Sequence, residues 1–237
     1  MMNQIPTDLE QYEFIRTMKA DETYPGILWH LIPTVDEGYK PFLTPDNLPD
    51  KKDWNWDEFF GDRTGPIEIE IGSGKGGFII DYSRLKPELR LLGMEIDLSL
   101  GMYCSERFLK HKCDNVRMLR TDAYFFFRDY IKDSTVSGFH MYFPDPWPKK
   151  RHHKNRLMKA DFIHEVRRVA QAGSLFNWGT DHQEYNADVM ELFHSLEWME
   201  CVEADAPPTC GISTNFENIF RAQGLPIYRS IWRIHKD

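Results

Sequence analysis

The sequence lacks the features that mark membrane and secreted proteins. It contains no run of roughly 20 apolar residues, its start shows no basic-then-apolar leader, and its four cysteines form no Cys-x-x-Cys pair. These absences predict a cytoplasmic protein that has no membrane span and keeps its thiols reduced. The nine histidines also lack the spacing of metal ligands, so we predict no metal site.

An overall excess of positive charge is missing as well, yet the charges are unevenly distributed. The 237 residues carry a net charge of −8, and residues 1–64, with 13 acidic and six basic side chains, account for −7 of it. Residues 149–159 hold six basic side chains, two histidines and no acid. Because binding to a polyanion depends on the local field, the acidic total does not exclude a nucleic-acid partner.

The pattern of the chain changes at about residue 65. Residues 1–64 are rich in Pro, Asp, Glu and Trp, and we interpret them as an acidic extension whose segment Trp54–Phe60 packs on the main domain. Residues 65–237 alternate strand and helix patterns, which predicts an α/β domain with a mostly parallel seven-stranded sheet and helices on both faces. The predicted strands are Ile67–Ile71, Leu91–Ile96, Val116–Leu119, Gly138–Phe143, Ser174–Trp178, Met199–Ala204 and Ile227–Ile234. The predicted helices are Phe78–Leu85, Leu98–Lys112, Ala123–Ile131, Leu157–Ala170 and Tyr185–Leu196.

This architecture is Rossmann-like, and in such a sheet the ligand binds beyond the carboxyl ends of the strands. The first strand ends in a glycine turn, where Gly72, Gly74 and Gly77 fit the G-x-G-x-x-G pattern of dinucleotide-binding proteins. With Gly76 in place of Gly77, the same turn fits the G-x-G-x-G motif of class I S-adenosylmethionine-dependent methyltransferases. Glu95 lies 23 residues after Gly72 and suits a carboxylate that binds ribose hydroxyls in either case.

Glu70 favours the methyl donor over a dinucleotide. A carboxylate at the entry to the turn would repel a pyrophosphate, but it would accept a hydrogen bond from the amino group of a cationic sulfonium ligand. Asp122 and Ala123 end the third strand and suit a carboxylate and a backbone amide that contact adenine. We therefore predict S-adenosylmethionine as the cofactor. The alternative for Glu70 and Glu95 is a solvated charge at a strand end.

The segment Phe143–Leu157 is the most specific part of the sequence. Prolines on both sides of Asp145 fix its backbone at the end of the fourth strand, where a reacting base would lie. The basic run Lys149–Arg156 follows directly, and its last residues are predicted to open the next helix. A fixed carboxylate beside dense positive charge suits a base attached to a phosphate backbone. The alternative for the basic run is a solvated helix start.

From about Trp56 to its C-terminus the sequence resembles the bacterial-type tRNA (guanine-N7-)-methyltransferases. It departs from them in residues 1–64, where members of this family often begin with a basic segment. The resemblance rests on Glu-Ile-Gly-x-Gly-x-Gly at Glu70–Gly76, Gly-x-Glu at Gly93–Glu95, Asp-Ala at Asp122–Ala123, Phe-Pro-Asp-Pro-Trp-Pro-Lys-Lys-Arg-His at Phe143–His152, Thr-Asp at Thr180–Asp181 and Thr-x-Phe-Glu at Thr214–Glu217.

The resemblance implies a class I methyltransferase fold, tRNA as the partner and guanine 46 of the variable loop as the target. It implies Asp145 as the catalytic residue. The residues implied to bind S-adenosylmethionine are Glu70, Gly72, Gly74, Gly76, Glu95, Asp122, Ala123 and Asp145. The residues implied to bind the substrate are Lys149, Arg151, Asp181, Thr214, Asn215, Phe216 and Glu217. We expect a monomer or homodimer without an obligatory partner.

The chemistry of guanine N7 defines what these residues have to do. N7 carries an in-plane lone pair, so methyl transfer needs no prior deprotonation and depends mostly on alignment. Because methylation leaves the guanine cationic, we assign Asp145 to position the base and stabilise its charge, and not to act as a general base. Asp181 would accept from the N1–H or N2 amino edge of guanine, with a helix N-cap as the alternative. Trp147 would stack on a displaced base or pack under its own loop.

Other classes of function stay open at this point. One is a small-molecule enzyme, either another methyltransferase or an NAD-dependent dehydrogenase, and another is a methyltransferase for a different RNA. A third is a non-catalytic RNA-binding protein that keeps the fold. The dehydrogenase does not account for the basic run Lys149–Arg156, and the order Pro-Asp-Pro-Trp argues against methylation of an exocyclic amine. The strand-end positions keep their polar residues, which argues against a non-catalytic protein.

Overall fold

The computed structural model describes residues 30–32, 52–61 and 63–236. The strands in this part are β1 His30–Ile32, β2 Ile67–Ile71, β3 Arg90–Glu95, β4 Val116–Arg120, β5 Val136–Tyr142, β6 Ala170–Thr180, β7 Met199–Ala204 and β8 Tyr228–Ile234. The α-helices are α1 Trp56–Phe60, α2 Gly77–Leu85, α3 Leu98–His111, α4 Ala123–Tyr130, α5 Ala160–Val169, α6 Gln183–His194 and α7 Asn215–Ala222. Short 3₁₀ turns cover Lys150–Asn155 and Thr209–Gly211. Within the described ranges, no helix combines the length and apolar character needed to cross a membrane.

The strands form one sheet in the order β1-β4-β3-β2-β5-β6-β8-β7. Strands β4, β3, β2, β5 and β6 pair in parallel, whereas β1, β8 and β7 pair antiparallel with their neighbours. The chain moves outward from β2 to β3 and β4 and then returns to β5 on the other side of β2. The crevice at such a reversal is where α/β sheets bind ligands. The predicted Rossmann-like sheet of seven strands is confirmed, and β1 adds an eighth.

Two buried clusters of side chains enclose the sheet. Leu91 packs in one cluster with Phe78 and Phe108, whereas its neighbour Leu92 packs in the other with Phe126. Because successive residues of a strand face opposite sides, the two clusters lie on opposite faces. Burial of each such side chain stabilises the fold by about 1.5–3 kcal/mol.

The described part of the acidic extension belongs to this core. Trp54, Trp56, Phe59 and Phe60 are all buried in the cluster that contains Leu92 and Phe126, and the Trp54 ring lies 4.8 Å from that of Phe126 in an edge-to-face arrangement. The predicted packing of Trp54–Phe60 on the main domain is confirmed. Residues 1–29, 33–51 and 62 of the predicted extension lie outside the described residues.

One local prediction fails and one helix is missed. The basic run does not open a helix, because Lys150–Asn155 forms a 3₁₀ turn, Arg156 is extended and α5 begins at Ala160. Helix α7 is not predicted, although Thr214 and Glu217 have the spacing of a helix cap: the Glu217 N–H donates to Thr214 Oγ1 at 3.1 Å. A helix of eight residues covers only about two turns, which is why the cap is its clearest signal.

Candidate active site

The glycine turn after β2 has a backbone that favours glycine. The φ angles of Gly72, Gly74 and Gly76 are +78°, +52° and +68°, in the left-handed region. A Cβ on Gly76 would collide with Cys104 Sγ of α3, so the turn packs tightly on that side. A Cβ on Gly72 or Gly74 would meet no atom within 4 Å. The turn is therefore open to a ligand at Gly72 and Gly74.

Glu70 is buried at the entry to this turn. Its side chain belongs to a residue only 6% exposed, and Oε2 has no hydrogen-bond partner within the described chain. Burial raises the pKa of Glu70 to about 8, opposed by a hydrogen bond with Ser73 and reinforced by the negative charge of Glu95. A buried acceptor without a donor is costly, and a cationic amino group would satisfy it. Glu70 is thus not a solvated charge at a strand end.

Glu95 is fixed by backbone amides at the end of β3. Its Oε2 accepts the Gly74 N–H at 2.9 Å, and its Oε1 accepts the N–H groups of Ile96 and Asp97 at 2.8 and 3.0 Å. A carboxylate offers about four acceptor positions. These bonds hold it between the ends of β2 and β3 and leave capacity for a hydroxyl donor.

Asp122 serves as the N-cap of α4 at the end of β4. Its Oδ1 accepts the N–H groups of Tyr124 and Phe125 at 2.9 and 3.3 Å. Burial raises the pKa of Asp122 in spite of these two bonds. Ala123 is the buried first residue of α4. The cap sets the orientation of the Asp122 carboxylate at the same edge of the sheet as Glu70 and Glu95.

Asp145 lies exposed in the loop after β5, between two residues with strained backbones. Phe143 and Trp147 have φ angles of +52° and +45°, each of which costs about 1–3 kcal/mol for a residue other than glycine. A hydrogen bond anchors each end of the loop. The Phe143 N–H donates to the Gly179 carbonyl at 2.7 Å, and Arg156 Nε donates to the Pro146 carbonyl at 2.8 Å.

The left-handed residues were not predicted. The prolines predict a fixed aspartate, and the structure shows a loop with a hydrogen bond at each end. The positive φ of Phe143 and Trp147 has no sequence signal, because glycine or asparagine would be expected in that conformation. Trp147 is half-buried and its ring contacts His152 edge-to-face at 6.0 Å, as expected of a side chain that packs within its own loop.

The basic run divides into an exposed and a buried part. Lys149, Lys150, Arg151 and Lys154 are exposed, whereas Arg156 is only 4% exposed. Exposed basic side chains on one short turn suit a polyanion, but a buried guanidinium is not available to a phosphate.

Asp188 is the acidic partner of that buried guanidinium. Arg156 Nη1 contacts its carboxylate at 2.5 Å. Asp188, Glu184 and His153 form the one group of potential metal ligands found among the described residues. Because Arg156 already supplies a positive charge there, this group gives no reason to revise the prediction of no metal.

Asp181 follows β6 and is half-buried. The side chain that caps α6 is that of His182, whose Nδ1 accepts the Tyr185 N–H at 3.2 Å. The alternative role of Asp181 as the helix cap is therefore filled by its neighbour. Its carboxylate remains a candidate for substrate recognition.

Helix α7 buries its glutamate and exposes apolar side chains. Glu217 is fully buried and forms ion pairs with Arg229 and Arg221. Burial alone would raise the pKa of Glu217, but the hydrogen bonds from the two arginines lower it below its usual range. Phe216 and Ile219, in contrast, are 53% and 49% exposed. This inversion of the usual pattern makes the exposed side of α7 a candidate interaction surface.

The exposed side of α7 continues into the Asp145 loop. The Phe143 ring lies 5.5 Å from Phe220 and 6.4 Å from Phe216, and these two rings stack at 5.9 Å. We call Phe143, Phe216 and Phe220 the aromatic surface. At the other side of α7, the Asn215 side chain approaches Gly77 at the start of α2, since a Cβ there would lie 3.1 Å from Asn215 Oδ1. Helix α7 thus lies between the glycine turn and the Asp145 loop.

Comparison with solved structures identifies the class of fold. The 16S rRNA methyltransferase KamB superposes with a TM-score of 0.58 and 13% identity over 77% of this chain and 94% of that chain. The aminoglycoside resistance methyltransferase NpmB1 superposes with a TM-score of 0.53 and 12% identity over 75% of this chain and 91% of that chain. Residues 64–230 also match a family model described as "Putative methyltransferase". Fold and sequence therefore define a methyltransferase of class I architecture.

Curated relatives narrow this class. The protein named tRNA (guanine-N(7)-)-methyltransferase in Rhodopirellula baltica is 33% identical over 80% of this chain and 73% of that protein. The protein of the same name in Geobacillus thermodenitrificans is 31% identical over 81% of this chain and 88% of that protein. The protein of the same name from Thermotoga maritima is 30% identical over 81% of this chain. The match covers 60% of that protein's length. The chain belongs to the tRNA (guanine-N7-)-methyltransferase family, and the resemblance noted in its motifs is confirmed.

Proposed function

We propose that this enzyme transfers a methyl group from S-adenosylmethionine to N7 of guanine 46 in the variable loop of tRNA, giving 7-methylguanosine. The observation that carries the proposal is the position of Asp145, an exposed carboxylate in an anchored loop that follows β5, the parallel neighbour of β2, and leads into the exposed basic turn. The names of the curated relatives support tRNA and guanine N7. The resemblance of the motifs supports position 46.

The donor side of the site fits S-adenosylmethionine. The unpartnered Glu70 Oε2 would accept from the amino group of the donor, and Glu95 would accept from its ribose hydroxyls. Gly72 and Gly74 let the backbone approach the ligand closely, and Gly76 lets the turn pack against α3. The adenine would lie against Asp122–Ala123 at the end of β4. When bound, the donor supplies an electrophilic methyl group carried by a sulfonium.

Asp145 acts on the guanine and helps to hold the donor. As the bond from guanine N7 to the methyl carbon forms, the bond from that carbon to sulfur breaks and its electron pair stays on sulfur, so no proton has to move. The base gains a positive charge in this step, and a carboxylate beside it stabilises the transition state more than the ground state. The anchored loop keeps that carboxylate in place before the substrate arrives.

The acceptor side binds the RNA through two kinds of surface. Lys149 and Arg151 on the exposed basic turn would neutralise phosphates, and Asp181 would accept from the N1–H or N2 edge of guanine. The segment Thr214–Glu217 contributes through α7: Asn215 and Phe216 are exposed, while Glu217 holds the helix from inside through its buried ion pair with Arg229. The aromatic surface would stack on a base, a contact worth about 1–3 kcal/mol.

Methyl transfer to defined RNA tests this proposal. Labelled S-adenosylmethionine is supplied to the purified protein alone with an unmodified tRNA transcript, and a matched transcript carries adenine at position 46. We expect label in 7-methylguanosine from the first transcript and none from the second, without any added partner protein. Label in another nucleoside, or equal label in both transcripts, would refute the assigned position. Transfer only to a different RNA or a small molecule would favour the alternative function.

A further inference from the structure

Arg156 stands in the basic run, yet its surroundings separate it from the other basic residues. Its guanidinium lies over the ring of Tyr185 in α6, with Cζ 4.7 Å from the ring centroid, and Nη1 contacts Asp188 of the same helix at 2.5 Å. Nε donates to the Pro146 carbonyl in the Asp145 loop at 2.8 Å. One side chain thus joins this loop to α6.

The bond to Pro146 matters because the loop has few donors of its own. Pro144, Pro146 and Pro148 carry no backbone N–H, and the loop contains two residues in the left-handed conformation. A carboxylate presented by such a segment keeps its position only if other parts of the fold hold the segment. Arg156 supplies this support one residue after Asp145.

The energetics of Arg156 also favour an internal role. Its Nη2 has no hydrogen-bond partner among the side chains and backbone that the structure describes. A buried donor without a partner costs free energy, so stability alone does not explain a guanidinium at this place. Its planar shape lets Nε and Nη1 point to two partners at once, which a lysine ammonium on a flexible stem does not reproduce.

We propose that Arg156 is a positioning residue that holds the Asp145 loop against α6 for methyl transfer and does not bind RNA phosphates. This inference rests on the proposed function for its kinetic readout, but the position of the loop can be measured without any substrate. Misplacement of a reacting group by about 1 Å costs about 100-fold in rate. Loss of Arg156 is therefore expected to lower kcat and to leave the affinity for RNA unchanged.

The test compares variants that differ in charge and geometry. Arg156→Gln removes the charge and the planar guanidinium, and Arg156→Lys keeps the charge but loses the guanidinium geometry. Lys154→Gln removes one exposed charge from the same run. We expect both Arg156 variants to lower kcat at least about tenfold, with KM for tRNA, donor binding and the salt dependence of tRNA binding as in the unaltered protein. Lys154→Gln should instead lower the salt slope by about 0.7–0.9, as expected of an exposed charge that contacts phosphates.

Hydrogen exchange without substrate provides the second readout. Peptides covering residues 143–149 should exchange faster in Arg156→Gln and unchanged in Lys154→Gln, whatever the acceptor of the methyl group proves to be. An Arg156→Gln protein with normal kcat, normal loop exchange and a reduced salt slope would overturn the proposal. So would full rescue of kcat by Arg156→Lys.

Asp188→Asn keeps the test decisive if Arg156→Gln fails to fold. The Asp188 side chain is 53% exposed, so this variant loosens the outer anchor without an internal gap. We expect a smaller fall in kcat and faster loop exchange, with tRNA affinity retained. Unchanged kcat together with unchanged exchange would overturn the proposal. Failure of the unaltered protein to methylate tRNA would instead refute the proposed function and leave the exchange result to decide on Arg156.

Discussion

The proposed donor and acceptor halves of the site are built in different ways. On the donor side, Glu95 is held by three backbone N–H groups and Glu70 by burial at the glycine turn. On the acceptor side, Asp145 is exposed. Arg156 holds the Asp145 loop, and Arg229 holds α7 through Glu217. Backbone amides fix a small ligand's contacts rigidly, whereas long side chains anchor exposed loops that a large substrate can still reach. Variants in each half should therefore affect different steps.

The largest effect is expected from Asp145→Asn, which keeps the shape of the side chain and removes its charge. Loss of electrostatic stabilisation in the transition state should lower kcat about 100-fold or more. The measurement is single-turnover methyl transfer at saturating donor and tRNA. Asp161→Asn, at an exposed position in the first turn of α5, is the matched control and should keep full activity. A normal kcat for Asp145→Asn would remove Asp145 from the mechanism.

Glu217→Gln should break the acceptor half from inside. Removing one partner of a buried ion pair leaves Arg229 buried and uncompensated, and this should destabilise the protein by about 3 kcal/mol. Thermal unfolding measures this loss, and KM for tRNA should rise while the donor Kd stays unchanged. Glu200→Gln removes an exposed carboxylate that also pairs with an arginine, Arg233, and should show neither effect. If donor binding weakens as much as tRNA binding, the two halves are not independent.

The donor half should respond to pH through Glu70. Because its pKa of about 8 exceeds the ordinary value of 4.5, the folded protein without donor holds a proton that the unfolded chain releases, and its stability should fall as pH rises from about 5 to 8. A cationic donor prefers the ionised carboxylate. Donor affinity should therefore rise by up to about tenfold per pH unit between about pH 5.5 and 7.5, where the donor's amino group stays charged.

Titration calorimetry with the Glu70→Gln variant checks this pH dependence. The variant should bind the donor more weakly and with a nearly flat pH profile. Glu88→Gln, which removes an exposed carboxylate near the same strands, should keep the slope of the unaltered protein. A slope that persists in Glu70→Gln would assign the proton to another group.

The smallest effect is expected on the aromatic surface. Phe216→Ser removes one exposed ring, and loss of a stacked base should raise KM for tRNA about tenfold, with kcat and donor Kd unchanged. Leu85→Ser is the matched control, because it also replaces an exposed apolar side chain with serine, at a residue of α2 that is 56% exposed. It should leave KM for tRNA unaltered. Equal KM values for the two variants would mean that the aromatic surface faces something other than RNA.

Much of the donor half was predictable from the sequence, for a physical reason. A parallel sheet brings the ends of its strands to one edge, so Glu70, Glu95 and Asp122 could be placed together from the strand pattern alone. Their surroundings could not. The burial of Glu70, and with it the raised pKa, comes from tertiary packing around the glycine turn, and sequence spacing carries no information on that packing.

The acceptor half was less predictable. Arg156 is one of six bases in residues 149–159 and has no local signal that distinguishes it from its exposed neighbours. The Thr214–Glu217 cap is the clearest sequence signal for helix α7. Phe216 and Ile219 of this helix are exposed, although they have the spacing of residues on a buried helix face. Local patterns report how side chains are spaced, but which side of a short helix meets solvent depends on what lies beside it.

The sequence by itself determined the Rossmann-like order of strands and helices, the glycine turn and the place of Asp145 between two prolines after β5, because periodicity, glycine and proline act over a few residues. Only the tertiary structure decided that Arg156 and Glu217 are buried anchors and that Phe143, Phe216 and Phe220 share one surface. Those outcomes depend on contacts between residues far apart in the chain, such as Glu217 with Arg229 and Phe143 with Phe220. Burial and charge pairing follow from the folded arrangement as a whole, so no local pattern contains them.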